Sequence, residues 1–149
     1  MKKWIYLGVF ILAAVAGAAG YQRFSAGSTA DSGKEIDWRV LSEFDYITGN
    51  STPELKKLAG TTVRIPGFMV PLEDDQRETT EFLLVPSPQA CIHVPAPPPN
   101  QMVYVKMKKS VEIPVGPIWV SGDLNMVTKK SLYGEASFEM DGNSIEDYK

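Results

Sequence analysis

Apolar and polar positions change rhythm three times along this chain. From Trp4 to Gly20 the residues are apolar without a single charge. From Gln22 to Lys34 the chain is rich in Ser, Ala and Gly, the composition of a flexible linker. Beyond it, Trp38, Leu41 and Phe44 recur at near-helical spacing and predict a short helix over one end of a core. A second short helix is expected over Pro53 to Ala59. Thr52 can accept from its first-turn amides, Pro53 suits the first helical position, and Gly60 suits a left-handed stop.

After Thr61 the period is two. Thr62-Val63-Arg64-Ile65 alternates, Gly67 interrupts, and Phe68-Met69-Val70 resumes before Pro71, as expected where a strand bends sharply or carries a bulge. Glu81 to Val85 and Met102 to Val105 read as further strands, with Lys106 and Lys108 marking a wet outer face. Ile118 to Leu124 and Ala136 to Met140 alternate strictly, and Asp141-Gly142 offers turn chemistry. These elements predict a mostly β fold: a small five-stranded, partly open Greek-key barrel of the oligomer-binding type with one or two short helices. A β-sandwich is the alternative. At 149 residues, a single β domain over 36–149 follows, preceded by segments 1–20 and 21–35.

Lys2 and Lys3 ahead of the first apolar run form the basic flank of a signal peptide. Ala14-Val15-Ala16 and Ala16-Gly17-Ala18 offer small residues for cleavage between Ala16 and Gly20, and no cysteine stands there for lipidation. The run is also close to the roughly 20 residues that span a bilayer, so retention as an N-terminal membrane anchor is the other outcome. Either way the expected location is periplasmic, soluble after cleavage or held to the inner membrane by residues 1–20. Without the two leader lysines the chain carries thirteen basic and eighteen acidic residues. The longest basic clusters, Lys106-Lys108-Lys109 and Lys129-Lys130, are short and sit among acids, which argues against a phosphate-backbone ligand such as nucleic acid.

Candidate chemistry concentrates between Pro86 and Gln101, where the only cysteine, Cys91, and the only histidine, His93, stand two residues apart. Residues at i and i+2 of extended backbone face the same side, so thiol and imidazole can converge on one small atom. Pro97-Pro98-Pro99 favours a polyproline turn that keeps the segment at the surface. Three readings compete. A soft metal site suits zinc or copper, but two ligands fall short of four. Completion would come from Glu73, Asp74 or Asp75, from the thioethers of Met69, Met102 and Met107, or from a second protein. A thiol-dependent enzyme would use a Cys91/His93 dyad in which His93 lowers the thiol pKa. Against it, neighbours on one strand project in parallel, and no oxyanion loop stands out, although Asn100 and Gln101 are near. In the plain structural reading, Cys91 is a small buried hydrophobe and His93 a hydrogen-bonded wall residue. A lone cysteine gives the domain no internal disulfide.

The runs Ile65-Pro66-Gly67-Phe68-Met69-Val70-Pro71-Leu72, Phe82 to Pro86, Cys91-Ile92-His93-Val94-Pro95 and Pro98-Pro99-Asn100-Gln101, closed by Gly142, Ile145 and Tyr148, resemble a bacterial envelope family known as domain of unknown function 3299. The resemblance spans roughly Ile36 to Tyr148. It implies an exported or lipid-anchored protein that often accompanies ABC-type transport systems, some linked to zinc supply, and a Cys91/His93 site presented on purpose by the fold. This chain departs from lipid-anchored relatives in lacking a lipidation cysteine.

Glu73-Asp74-Asp75 reads as a solvated turn, since no calcium-loop glycine follows, and the methionines read as core filler. Trp119 and Tyr104 would make a stacking platform if their face is wet, and otherwise lie under a loop. No phosphate loop, dinucleotide fingerprint or serine elbow is present. The expectation is a non-enzymatic exported accessory or binding protein serving an envelope transport protein. It would act through Cys91, His93, Pro95, Pro98, Pro99, Asn100 and Gln101, with zinc or copper as the metal. A thiol enzyme and a ligand-free docking scaffold are the alternatives.

Overall fold

The structure, a computed structural model, describes residues 33–74, 77–88 and 97–149. The leader, most of the linker, Asp75, Cys91, His93 and Pro95 lie outside them. Among the described residues no helix is long and apolar enough to cross a membrane.

Helix α1 (Trp38–Ser42) starts at Asp37, whose carboxylate accepts from the amides of Arg39 and Val40 at 2.9 and 3.3 Å. Helix α2 (Pro53–Leu58) starts as its sequence indicates: Thr52 Oγ1 accepts from the Leu55 amide at 3.3 Å, Pro53 opens the first turn, and Gly60 follows the stop at φ +75°. Each helix sends apolar residues inward, Leu41 from α1 and Leu55 and Leu58 from α2. Paired backbone begins two residues ahead of Ile36, where β1 (Lys34–Glu35) runs parallel to the strand formed by Val63 and Arg64.

Five strands close a barrel: β2 (Thr61–Pro71), β3 (Glu78–Val85), β4 (Val103–Glu112), β5 (Ile118–Asn125) and β8 (Phe138–Asp147). A small hairpin, β6 (Lys129–Ser131) with β7 (Gly134–Ala136), is inserted between β5 and β8. Around the barrel the order is β2-β3-β4-β8-β5, and β5 pairs back with β2. All neighbours are antiparallel except β4 and β8, which run parallel. The oligomer-binding type of barrel expected from the strand pattern is therefore present, with closure by the β2–β5 ladder.

Gly67 is where the barrel turns its corner. Residues Thr61 to Gly67 pair with β5, and Phe68 to Pro71 pair with β3, so one strand serves two neighbours. A Cβ at Gly67 would lie 2.7 Å from the Val85 carbonyl oxygen, which is why the position accepts no side chain. The bend read from the interrupted alternation is thus real, and neither β2 ladder shifts register.

Asp141-Gly142 corrects the sequence reading. These residues form no turn; they lie inside β8, paired with Asp123 and Gly122 of β5. The ladder shifts register just beyond them, leaving Asn143 as an extra residue. A Cβ on Gly142 would overlap the Met107 sulfur and one on Gly122 the Asp141 carbonyl oxygen. These glycines serve close approach between strands at a bulge, a purpose local sequence cannot distinguish from a turn.

The interior is lined by Val63, Ile65, Phe82, Leu84, Val103, Val105, Val120, Phe138 and Met140, with the helical leucines closing one side. A second apolar cluster lies on the other face of β3 and β4, outside the barrel. It consists of Leu83, Val85, Met102 and Ala136, flanked by the half-buried Phe68, Val70, Leu72 and Tyr104.

Candidate functional site

β3 is apolar on both faces: Phe82 and Leu84 enter the barrel, while Leu83 and Val85, each 1% exposed, belong to the outer cluster. β4 contributes Tyr104 to the same outer face. The Tyr104 hydroxyl donates to Glu81 Oε2 at 2.6 Å, and Lys106 Nζ stands 3.6 Å from Glu81 Oε1. Because ionisation would set a phenolate against the Glu81 carboxylate in a partly desolvated place, the Tyr104 pKa is pushed up to about 12. Barrels of this type bind oligomers on the face of their second and third strands and the adjoining loops. Here those strands are β3 and β4.

The connection between β3 and β4 carries Cys91, His93 and Pro95, which lie outside the described residues. Both its feet are described. It leaves β3 through Pro86, Ser87 and Pro88 and returns at Pro97. Pro98 precedes a single 3-10 turn, Pro99–Gln101. The Asn100 side-chain amide donates to the Ser42 and Phe44 carbonyls at 3.1 and 3.0 Å, and the Gln101 amide to the Trp38 carbonyl at 3.3 Å. Ser137 N donates to the Pro99 carbonyl at 2.9 Å. The returning foot is thereby clasped between α1 and the start of β8. Pro98, Pro99, Asn100 and Gln101 brace the connection, and the two amide nitrogens are engaged with backbone.

Of the residues weighed as completing a metal site, most are occupied elsewhere. Glu73 accepts from Thr80 N at 2.7 Å, Thr80 Oγ1 at 2.8 Å and Thr79 Oγ1 at 2.8 Å. These bonds, the Thr80 amide foremost, hold its carboxyl below the usual carboxylate range and fasten the β2–β3 loop. Glu73 and Asp74 lie exposed in the bend that follows β2, as expected of a solvated turn, and Glu73 also staples that loop, a role hidden in the sequence because its partners lie six and seven residues away. Met102 and Met107 are buried and Met69 packs against the inner core, as core filler does. Asp74 is exposed. No group of three or more His, Cys, Asp or Glu gathers among the described residues.

Trp119 and Tyr104 do not form one platform. Trp119 pairs with Pro66 of β2 and Glu146 of β8, whereas Tyr104 lies on β4 opposite Leu83. The Arg64 guanidinium sits 4.4 Å over the Trp119 ring and pairs with Glu146 at 2.8 Å, and the Tyr148 ring lies 5.2 Å from Trp119. This stack joins residues 64, 119, 146 and 148 through tertiary pairing, and sequence spacing alone does not show it.

The run from α1 through the braced connection to the end of β8 coincides with a recognised domain. A family model described as a protein of unknown function (DUF3299) matches residues 41–147. The chain belongs to the DUF3299 family. A crystal structure of a DUF3299 protein from Pseudomonas aeruginosa PAO1 is similar to it, with 31% sequence identity and a TM-score of 0.59, covering 78% of this chain and 96% of that one. No curated protein matches. The motifs that carried the resemblance, from Ile65 to Leu72 and from Cys91 to Gln101, fall inside the matched DUF3299 region.

Proposed function

We propose that this DUF3299 protein is an exported, non-catalytic accessory protein of an envelope transport system. It would bind through the outer face of β3 and β4 and the β3–β4 connection, with Cys91 and His93 as ligands for zinc or copper. The observation that carries the reading is the apolar cluster outside the barrel. Leu83 and Val85 are buried, and Phe68, Val70, Leu72 and Tyr104 are left half-covered beside the feet of the connection. That is the surface oligomer-binding barrels use, and its half-covered apolar rim leaves area that a partner can bury.

The metal part of the proposal takes its form from the residues that are engaged elsewhere. Glu73 is held by threonines and the methionines by the core, which leaves Asp74, Asp75 or a partner's side chains to supply the ligands beyond Cys91 and His93, and we favour the partner. A two-ligand site completed by a second protein is suited to handing a metal on and unsuited to storing it, since an incomplete coordination sphere binds weakly. The domain would be delivered by residues 1–20, cleaved or retained, and linked by the residues that follow.

A cobalt titration of the full chain in mild detergent tests this assignment. Co2+ bound by Cys91 gives a thiolate-to-metal charge-transfer band, absent from Cys91→Ser, weakened in His93→Ala and unchanged in Glu73→Gln. A band that survives Cys91→Ser, or none at saturating cobalt, would remove the metal assignment.

A further inference from the structure

Two clefts meet on the side of the barrel where β2 pairs with β5. One, of about 290 Å³, is walled by Trp38, Pro66, Phe68, Pro86, Pro117 and Tyr148. The other, of about 540 Å³, shares Pro66 and Tyr148 with it and is edged by Glu35, Asp37, Glu43 and Glu54, with Asp37 paired to Arg39 at 3.0 Å and the Lys34 ammonium beside the remaining three. They are therefore two compartments of one groove, apolar at one end and acidic at the other.

The apolar compartment is fixed in shape. Trp38 Nε1 donates to the Pro66 carbonyl at 2.6 Å, and Tyr148 N donates to the Pro117 carbonyl at 3.1 Å, so both aromatic walls are tied to proline carbonyls. The Trp119 ring, in the wall of the acidic compartment, is held by Arg64 above it and Tyr148 beside it, and Glu146 neutralises the Arg64 charge. Among the described residues, neither the Tyr148 hydroxyl nor the Trp119 indole N–H has a hydrogen-bond partner, which leaves two donors in the groove wall. Tyr148 is 49% exposed, large for an aromatic ring fastened by its own backbone.

We propose that this groove docks an extended, proline-containing peptide segment of another protein, with a basic residue of that segment in the acidic compartment. Rigid aromatic and proline walls suit a polyproline segment, whose backbone has no internal hydrogen bonds and is already ordered before binding. Its carbonyls meet the Tyr148 and Trp119 donors. With Asp37 paired to Arg39, the carboxylates of Glu35, Glu43 and Glu54 still outnumber the Lys34 ammonium and select for Lys or Arg and against acidic or phosphorylated partners, and the exposed Tyr148 ring adds cation–π attraction. The groove shares Phe68 with the outer face of β3 and β4 and Pro86 with the foot of the connection, but its described lining holds no Cys or His, so this inference does not rest on the metal proposal.

The test is an array of seven-residue peptides probed with the fluorescently labelled full chain in mild detergent. The array holds proline-containing peptides flanked by Arg or Lys, the same peptides flanked by Glu, and proline-free controls. Selective retention of the basic proline peptides is expected, with Tyr148→Ala and a Glu35→Gln/Glu54→Gln double variant each weakening it at least fivefold by fluorescence anisotropy. Unchanged circular dichroism and melting would show that these exposed substitutions leave the fold intact. Equal retention of the Glu-flanked peptides, no retention of any peptide, or binding unaffected by either variant would overturn the proposal.

Discussion

Gly142 of β8 is the register partner of Met107 on β4, and a single added Cβ there would overlap the Met107 sulfur. Two parallel strands approach at this point because one of them has no side chain. Gly142→Ala is expected to destabilise the protein by about 1–3 kcal/mol through overpacking, measured by urea denaturation. Met107→Ala in the Gly142→Ala background should restore part of that loss, because it removes the colliding group.

Trp38 ties α1 to the barrel through its 2.6 Å bond to the Pro66 carbonyl. Trp38→Phe keeps much of the packing and loses the bond, and should cost about 1 kcal/mol. The readout is the shift in the thermal midpoint, together with faster amide exchange in α1 than in the barrel strands.

Asn100 holds the returning foot of the β3–β4 connection against two α1-side carbonyls. Asn100→Ala should cost about 1–2 kcal/mol, since it leaves partly buried acceptors at Ser42 and Phe44 unpaired. Cobalt affinity should fall as well, because the segment bearing Cys91 and His93 loses its brace. A variant with lower stability and unaltered cobalt affinity would separate the brace from the site.

Tyr104 contributes to the loss of stability at high pH. Its folded pKa, about 12, lies above the ordinary 10.0. The neutral phenol is favoured by folding, so the contribution is complete below pH 10 and is lost as pH rises through 12. Following phenolate absorbance in the folded protein, a component that titrates at about 12 should vanish in Tyr104→Phe. At the acid end the sign reverses. Glu73 has a lowered pKa, so its contribution is present above the ordinary 4.5 and fades as pH falls below it.

The strand alternation from Thr62 onward carried the barrel, and the cap residues Thr52, Pro53 and Gly60 carried α2, because both signals are local. What escaped local reading depends on partners distant in sequence. Asp141-Gly142 has the chemistry of a turn, and only the proximity of Met107 and Gly122 makes it a bulge in a strand. Glu73 looks like one acid among three until Thr79 and Thr80 return beside it. The β6–β7 hairpin is short and polar, so no alternation marks it, and it is legible only from Gly134 at φ +129° and its pairing. Tyr104 lies on the candidate face, whereas Trp119 belongs to a groove assembled from β2, β5, β8 and α1, elements that pairing alone brings together. The Cys91-x-His93 spacing is visible in the sequence; that Glu73, Met102 and Met107 are committed elsewhere is not.

The most direct measurement is the metal content of the full chain purified in mild detergent from cells grown with added zinc or copper, beside Cys91→Ser and His93→Ala. Metal retained by the wild type above the level of both variants, and well short of one ion per chain while no partner completes the coordination sphere, is the result expected if Cys91 and His93 are ligands. A metal-free wild type whose Cys91 is alkylated rapidly at neutral pH, at a rate that falls in His93→Ala, would contradict the binding-protein account and identify a thiol enzyme in its place.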